Sequence, residues 1–259
     1  MFYFNFITLI IPSLLATSAL SITPSMPSIK SAATLVLVDR DGVINVDVGS
    51  PGVLDPSELK LTTSAGFALG RLRRAGCNVA LITNQSCVGK GLITENDLHG
   101  IHNKLQEMLL CQDQDARFDE IFYCTSRNDT YDHRRKPNPG MVEEALSQFL
   151  GDSVACVGKN VFFVGDTLTD LEAASRAGVP TRILVETGYG RGIMGGEEAP
   201  DVDGKVKIVN GEESNIEATT TANPSDDDNV SSKPSILPFL YAKNFCSAVE
   251  WILKSSSDA

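Results

Sequence analysis

Short apolar runs alternate along this chain with longer segments whose apolar residues recur every three or four positions. Residues 34–38 form a continuous apolar run, which is typical of a strand buried on both faces of a sheet. Ser64–Ala75 has helical periodicity and ends at Gly76. Further strands are expected at 78–82, 120–124, 161–164 and 182–185, and further helices at 94–110, 139–150 and 169–177. This βαβα order predicts an α/β fold with a doubly wound, Rossmann-like parallel sheet.

Two later segments break the alternation. Residues 191–235 are rich in Gly, Ser, Thr and acids and cannot bury enough apolar area to offset the entropy of ordering. They predict an acidic flexible insertion with at most a weak hairpin at 205–209. Residues 239–253 then predict a helix, within a C-terminal segment 236–255 that packs on the core. The core itself is expected to span residues 34–190.

The N-terminus differs from the rest of the chain. Residues 1–19 are apolar but contain Asn5, Thr8 and Pro12, which favours a signal peptide-like leader over a membrane span. Residues 20–33 are rich in Ser and Pro and lack acids, as expected of a linker or a transit segment. We therefore expect entry into the secretory pathway, with plastid delivery by a two-part leader as an extension. If the leader is not used, the protein is expected to be cytoplasmic, and after cleavage we expect no stable membrane association.

The net charge of -11 is concentrated in one place. Residues 195–228 hold ten acids and two lysines, which accounts for -8 of the total. No basic patch suggests nucleic-acid binding. The expected partner is a small-molecule phosphate substrate, and the expected state is a monomer. The six cysteines are scattered without a CxxC pair, which indicates neither a disulfide scaffold nor a zinc ribbon.

Candidate chemistry collects where the predicted strands end. The polar residues at these points, or just before a helix, are Asp39, Asp41, Thr83, Lys136, Asp166 and Asp170. Open α/β sheets bind ligands at the carboxyl ends of their strands, so these side chains are expected to meet in one crevice. Carboxylates gathered there would repel one another, and a hard cation such as Mg2+ relieves that repulsion. A lysine and a hydroxyl in the same crevice suit a phosphate.

Each residue also has an ordinary structural interpretation. Thr83 can end a strand, Lys136 can lie on the surface, and Asp166 can occupy a turn. Asp170 can be an acid in the first turn of a helix, where the helix dipole favours it. Only the joint pattern favours chemistry over these alternatives.

Four segments in order carry a resemblance to a known family: DRDGVIN, ITNQS, RKPNPGM and VGDTLTD. They are similar to the motifs of the haloacid-dehalogenase (HAD) superfamily of phosphatases, and most similar to its histidinol-phosphatase and heptose-bisphosphate phosphatase branch. The resemblance covers about residues 34–190 and the last helix. It implies a HAD-like fold and a phosphoric monoester hydrolase that requires Mg2+.

The resemblance also assigns roles. It implies that Asp39 attacks phosphorus and forms an aspartyl-phosphate, and that Asp41 serves as general acid and then general base. Thr83 and Lys136 hold the transferred oxygens. Asp39, the backbone carbonyl of Asp41 and Asp166 are the implied metal ligands. Asp170 is implied to orient Lys136 or a metal-bound water, and four further residues are candidates for contacting substrate: Asn84, Gln85, Ser86 and Arg135.

The spacing of the motifs limits the shape of the site. The intervals between Asp39 and Thr83 and between Thr83 and Lys136 leave no room for a large cap domain, so loops at 46–56 and 125–134 are expected to cover the site. The resembling branch carries a zinc loop before its lysine. Here Cys124 matches one ligand position and three ligands are missing, so no structural zinc is expected even though His133 lies nearby.

These observations predict a phosphatase of carbohydrate metabolism that acts on a small phosphorylated metabolite. A sugar bisphosphate such as D,D-heptose 1,7-bisphosphate is the expected substrate. The alternatives are histidinol phosphate, a nucleic-acid 3'-phosphate, and a non-catalytic phosphate-binding or interaction module.

Overall fold

The described part of the chain folds around one central sheet. The computed structural model describes residues 34–151, 158–200, 205–210 and 236–257. The expected leader at 1–19 and linker at 20–33 lie outside these residues. In the part of the chain that the structure describes, no helix is both long enough and apolar enough to cross a membrane.

Within these described residues, seven strands form the sheet, in the order β3-β2-β1-β4-β5-β7-β6. They are β1 Leu35–Val38, β2 Asn78–Asn84, β3 Glu120–Cys124, β4 Val161–Gly165, β5 Thr181–Val185, β6 Lys207–Val209 and β7 Phe239–Ala242. All neighbouring pairs are parallel except β6 with β7. The predicted doubly wound parallel sheet is therefore confirmed, with one antiparallel strand added at its edge.

Helices cover both faces of the sheet. They are α1 Ala65–Arg74, α2 Ser86–Gly89, α3 Glu95–Gln112, α4 Gly140–Leu150, α5 Leu168–Arg176, α6 Gly190–Ile193 and α7 Phe245–Ser257, with a 3-10 helix at Pro56–Glu58. Helices α1, α3 and α7 contribute to the core on one face, and α4 and α5 contribute to the core on the other. An ion pair between Arg71 and Glu250 joins α1 to α7.

The interior strand β1, which neighbours the middle strand β4, explains why the site lies where it does. Val36 and Val38 belong to the core under α1, α3 and α7, whereas Leu35 and Leu37 belong to the core under α4 and α5. All four side chains are fully buried, and β1 hydrogen-bonds to β2 on one side and β4 on the other. The backbone that follows β1 is thus held in the middle of the carboxyl edge of the sheet, where the first motif begins.

The C-terminal segment differs from the prediction of a single helix beginning at residue 239. Phe239–Ala242 form β7, which pairs with β5, and the helix begins only at Phe245. The prediction was wrong because a short apolar run has no periodicity that distinguishes a buried strand from a helical turn. β6 pairs with β7 rather than forming a local hairpin. Of the expected insertion 191–235, residues 201–204 and 211–235 lie outside the described part, and residues 191–193 belong to α6.

The expected absence of a large cap domain is confirmed for the intervals in question, which the structure describes completely. Between Asp39 and Thr83 lie a loop, the 3-10 helix, α1 and most of β2. Between Thr83 and Lys136 lie α2, α3, β3 and a second loop. Both expected covering loops contribute to the cleft described next, through residues 49–52 and Asn128.

Candidate active site

A cleft of about 270 Å³ opens at the carboxyl edge of the sheet. Of the ten residues predicted for the site, nine line it: Asp39, Asp41, Thr83, Asn84, Ser86, Arg135, Lys136, Asp166 and Asp170. The tenth, Gln85, is buried behind the cleft wall and acts on Asp41 and Thr83 as described below. Parallel pairing of β2, β1 and β4 brings these distant segments together.

Three buried carboxylates form the polar centre of this cleft. Asp39, Asp166 and Asp170 each present an oxygen within 4.8 Å of the other two. Burial, followed by the charge of neighbouring carboxylates, raises the pKa of Asp166 to about 9. Burial likewise raises the pKa of Asp39, to about 7, against the lowering effect of Lys136. Asp166 Oδ1 is buried without a hydrogen-bond partner. A cluster with an unsatisfied oxygen and raised pKa values fits a hard divalent cation such as Mg2+.

Lys136 supplies the positive charge beside this cluster. Its Nζ lies 2.7 Å from Asp39 Oδ1 and 2.6 Å from Asp170 Oδ1, and it donates to the carbonyl oxygen of Ile82 at 2.9 Å. Burial alone would lower the pKa of this lysine, but the charges of Asp170 and Asp39 raise it. The ammonium is therefore a fixed cation in the cleft.

Asn84 contacts the backbone of Lys136, and Asp170 pairs with the ammonium group of the same residue. The Asn84 side chain donates to the Lys136 carbonyl at 3.0 Å and accepts from the Lys136 amide at 3.1 Å. Asn84 thus fixes the lysine's backbone in addition to lining the cleft. The second oxygen of Asp170 accepts hydrogen bonds from the amide and hydroxyl of Thr167, which caps α5. Asp170 therefore pairs with Lys136 and also caps a helix. The expected contact with Lys136 and the expected place in the first turn of a helix are both present.

Asp41 is held by a different set of partners. Arg40 Nη2 donates to its two oxygens at 3.1 and 2.9 Å, and Asn45 Nδ2 and Gln85 Nε2 donate at 2.9 and 3.0 Å. Gln85 also donates to Thr83 Oγ1 at 2.9 Å, which links two residues of the cleft. Burial alone would raise the pKa of Asp41, but the charge of Arg40 and the hydrogen bonds from Asn45 and Gln85 hold it below its usual value.

Two glycines permit the close approach of backbone to Asp166. Gly42 and Gly188 have φ angles of 79° and 62°, and a Cβ on either would collide with Asp166 Oδ2. The next residue, Tyr189, donates its amide to the same oxygen at 3.0 Å. Sequence reasoning missed Gly188 because ETGYGRG is an unremarkable loop until the pairing of β4 with β5 places it against Asp166.

We expect Gly188→Ala to lower kcat/KM by at least about tenfold, because the added methyl group must displace Asp166 and also strain a left-handed backbone. Gly192→Ala is the matched control, since a Cβ there meets nothing within 4 Å. Steady-state phosphate release across a series of Mg2+ concentrations measures the effect. Equal activity of the two variants would show that the approach to Asp166 is unimportant.

Arg135 stands at the mouth of the cleft on the loop that joins β3 to α4. Its guanidinium donates to the Ser126 carbonyl at 2.8 Å and to Asn128 Oδ1 at 2.9 Å, which holds the half-buried side chain in place. The same loop is fastened by Asp132, which accepts from the hydroxyl of Ser126 and, at 2.8 Å, from the amide of Arg134. The guanidinium therefore faces the cleft from a fixed loop.

Cys124 and His133, the two residues near the expected zinc-ligand positions, contact different partners. Cys124 Sγ donates to Asp132 Oδ2 at 3.5 Å. His133 is exposed and its Nε2 lies 2.8 Å from Glu143 Oε2. Cys124 and His133 thus each contact a carboxylate of the chain itself, Asp132 and Glu143 respectively.

Known proteins are similar to this chain in sequence and in fold. A family model described as HAD-hydrolase-like matches residues 133–202. A D-glycero-D-manno-heptose-1,7-bisphosphate 7-phosphatase of Chlorobaculum tepidum is 34% identical over 165 residues, which is 61% of this chain and 81% of that protein. A D-glycero-beta-D-manno-heptose-1,7-bisphosphate 7-phosphatase of Pseudomonas aeruginosa is 35% identical, over 62% of this chain and 86% of that protein.

A solved structure agrees with these relatives. The crystal structure of D,D-heptose 1,7-bisphosphate phosphatase from B. bronchiseptica, complexed with magnesium and phosphate, superposes with a TM-score of 0.63 at 27% identity. The match covers 86% of this chain and 99% of that one. With its sheet, its ordered motifs and these relatives, the chain belongs to the HAD-like family of phosphatases.

Proposed function

We propose that this phosphatase is a Mg2+-dependent enzyme that removes the 7-phosphate of a heptose 1,7-bisphosphate through an aspartyl-phosphate on Asp39. The observation that carries the proposal is the convergence of Asp39, Asp166 and Asp170 beside Lys136 in one cleft. The substrate comes from the printed activity of the relatives, which are heptose bisphosphate 7-phosphatases.

The residues divide the chemistry between them. The Asp39 carboxylate attacks phosphorus, and Asp41 gives its proton to the departing sugar oxygen. Asp41 then takes a proton from the water that hydrolyses the aspartyl-phosphate. An arriving phosphate dianion opposes the charge of Arg40 and so favours the protonated form of Asp41. Lys136 and Thr83 hold the transferred oxygens.

The metal would be held by Asp39 and Asp166, together with the backbone carbonyl of Asp41. When bound there, Mg2+ screens the carboxylate nucleophile from the anionic phosphate. Asp170 keeps Lys136 in place through the 2.6 Å ion pair.

Arg135 is the residue we assign to the second phosphate of the substrate. A planar guanidinium donates two parallel hydrogen bonds to a phosphate, and the contacts to Ser126 and Asn128 hold it at the mouth of the cleft. A bisphosphate can thus reach both the reacting centre and a second cation.

A substrate panel tests the proposal. We expect kcat/KM for the heptose bisphosphate to exceed that for histidinol phosphate and for a 3'-phosphorylated oligonucleotide by at least about 10²-fold. The reason is that only the bisphosphate offers one phosphate to Lys136 and a second phosphate to Arg135. Phosphate release with Mg2+, and with EDTA as the metal-free control, is the measurement. A preference for either other compound would reassign the substrate. No release from any compound would leave only a phosphate-binding role.

A further inference from the structure

A completely buried guanidinium stands directly behind Asp41. The Arg40 side chain has no exposed surface, and its Nη2 donates to both oxygens of Asp41. In the part of the chain that the structure describes, it is among the largest fully buried side chains. Its Nε has no hydrogen-bond partner, so the contacts of this arginine are concentrated at the two terminal nitrogens.

The other terminal nitrogen meets a buried histidine. Arg40 Nη1 lies 3.3 Å from Nε2 of His102, a residue of α3 that is 62 positions away in sequence and 5% exposed. An arginine can only donate, so Nε2 accepts and the ring carries its proton on Nδ1. Burial, together with the charge of Arg40, lowers the pKa of His102 to about 3, which keeps the ring neutral and able to accept. The ring also packs against Tyr123, with centroids 5.8 Å apart.

Neither residue lines the cleft, so neither can touch a substrate there. The carboxylate of Asp41, by contrast, does line it and is 24% exposed. The side-chain link from this pair to the cleft is made by the hydrogen bonds from Arg40 to Asp41. A buried guanidinium with one carboxylate partner is costly as a purely structural device, because apolar side chains of similar volume often stabilise a fold as well or better.

We infer that Arg40 and His102 form a positioning pair that aims the Asp41 carboxyl group at the leaving oxygen of the substrate. This inference rests on the proposed acid role of Asp41. In the step concerned, a bond forms between an Asp39 oxygen and phosphorus while the bond from phosphorus to the sugar oxygen breaks. The proton of Asp41 passes to that sugar oxygen, which leaves as a neutral alcohol. His102 fixes Arg40 Nη1, and Arg40 in turn fixes the plane of the carboxyl group.

The dependence of rate on the leaving group separates positioning from simple structural support. A sugar oxygen must be protonated as it leaves, whereas p-nitrophenolate is a stable anion that leaves without a proton. The constant kcat/KM reports events up to release of the alcohol, which is the step that uses Asp41 as an acid. We therefore compare kcat/KM for the heptose bisphosphate with kcat/KM for p-nitrophenyl phosphate in each variant.

We expect Arg40→Met to lower kcat/KM by about 10- to 100-fold for the heptose bisphosphate and by less than about threefold for p-nitrophenyl phosphate, in the same pattern as Asp41→Asn. His102→Leu should lower only the sugar phosphate value, by about three- to tenfold, and His102→Gln should restore it, because the amide oxygen can accept from Arg40. Asn103→Leu, at an exposed position on the same helix, is the matched control. Retained turnover of p-nitrophenyl phosphate shows that each variant is folded.

Parallel losses on both substrates in the His102→Leu and Arg40→Met variants would overturn the inference and leave the pair with a structural role only. This holds even if Arg40→Met fails to fold, since the two His102 variants carry the comparison alone. If Asp41→Asn lowers kcat/KM equally for both substrates, Asp41 is not the acid. The inference then fails while the phosphatase activity stands. If the wild-type protein releases phosphate from neither compound, the proposed function fails as well.

Discussion

Replacement of Asp39 by Asn is expected to lower kcat for phosphate release by at least about 10⁴-fold. An amide nitrogen cannot attack phosphorus as a carboxylate does, and the neutral side chain also removes one ligand of the implied metal site. The new side chain is nearly the same size as the one it replaces, and among the described contacts it loses the 2.7 Å ion pair with Lys136. Phosphate release with saturating heptose bisphosphate and Mg2+ measures the effect.

The control for this variant is Asp115→Asn, which makes the same chemical change at a surface ion pair with Arg74. It should remain within about twofold of wild type, since surface ion pairs contribute little. Residual activity of Asp39→Asn within about tenfold of wild type would remove Asp39 from the role of nucleophile. Circular dichroism and thermal unfolding confirm that both variants are folded.

Replacement of Lys136 by Met is expected to impair both stability and activity. Met fills a similar volume but leaves Asp39 and Asp170 buried without their shared cation. Breaking a buried ion pair in this way costs about 3–5 kcal/mol of unfolding free energy. The loss of a cation from the transferred phosphate should also lower kcat/KM by at least about 10²-fold. Urea unfolding in EDTA and steady-state kinetics in Mg2+ measure the two effects separately.

The double variant Lys136→Met/Asp170→Asn separates the two losses. Removing one of the two uncompensated carboxylates should recover part of the unfolding free energy, because the repulsion between them is relieved. It should recover none of the activity, since the cation is still missing. An unfolding free energy for Lys136→Met within about 1 kcal/mol of wild type would contradict the importance of this buried ion pair.

The centre of the site was predictable from sequence because its residues follow buried strands. Asp39 and Asp166 each come directly after a fully buried run, so parallel pairing was enough to bring them together. The apolar run before each aspartate is a local sequence feature. The one long-range assumption was that these strands pair in a parallel sheet. The order of the four motifs added the roles that proximity alone does not supply.

The supporting residues were not predictable, because their importance depends on tertiary contacts. Arg40 is a charged residue inside a turn, and from sequence such a residue is expected to be exposed to solvent. In the structure it is completely buried. Its partner His102 lies on a helix 62 positions away, and no periodicity relates the two. Gly188 matters only because the loop after β5 reaches Asp166. β7 was missed because four apolar residues are too few to show a period.

The most direct test of the central claim is capture of the covalent phosphoryl group. The wild-type protein is mixed with the heptose bisphosphate and Mg2+, quenched within milliseconds in acid, reduced with borohydride and analysed by peptide mass spectrometry. We expect the reduced product at Asp39 in the wild type and at no residue in Asp39→Asn. Steady turnover with no modification at Asp39, or with modification at another residue, would contradict the assignment of Asp39 as the nucleophile.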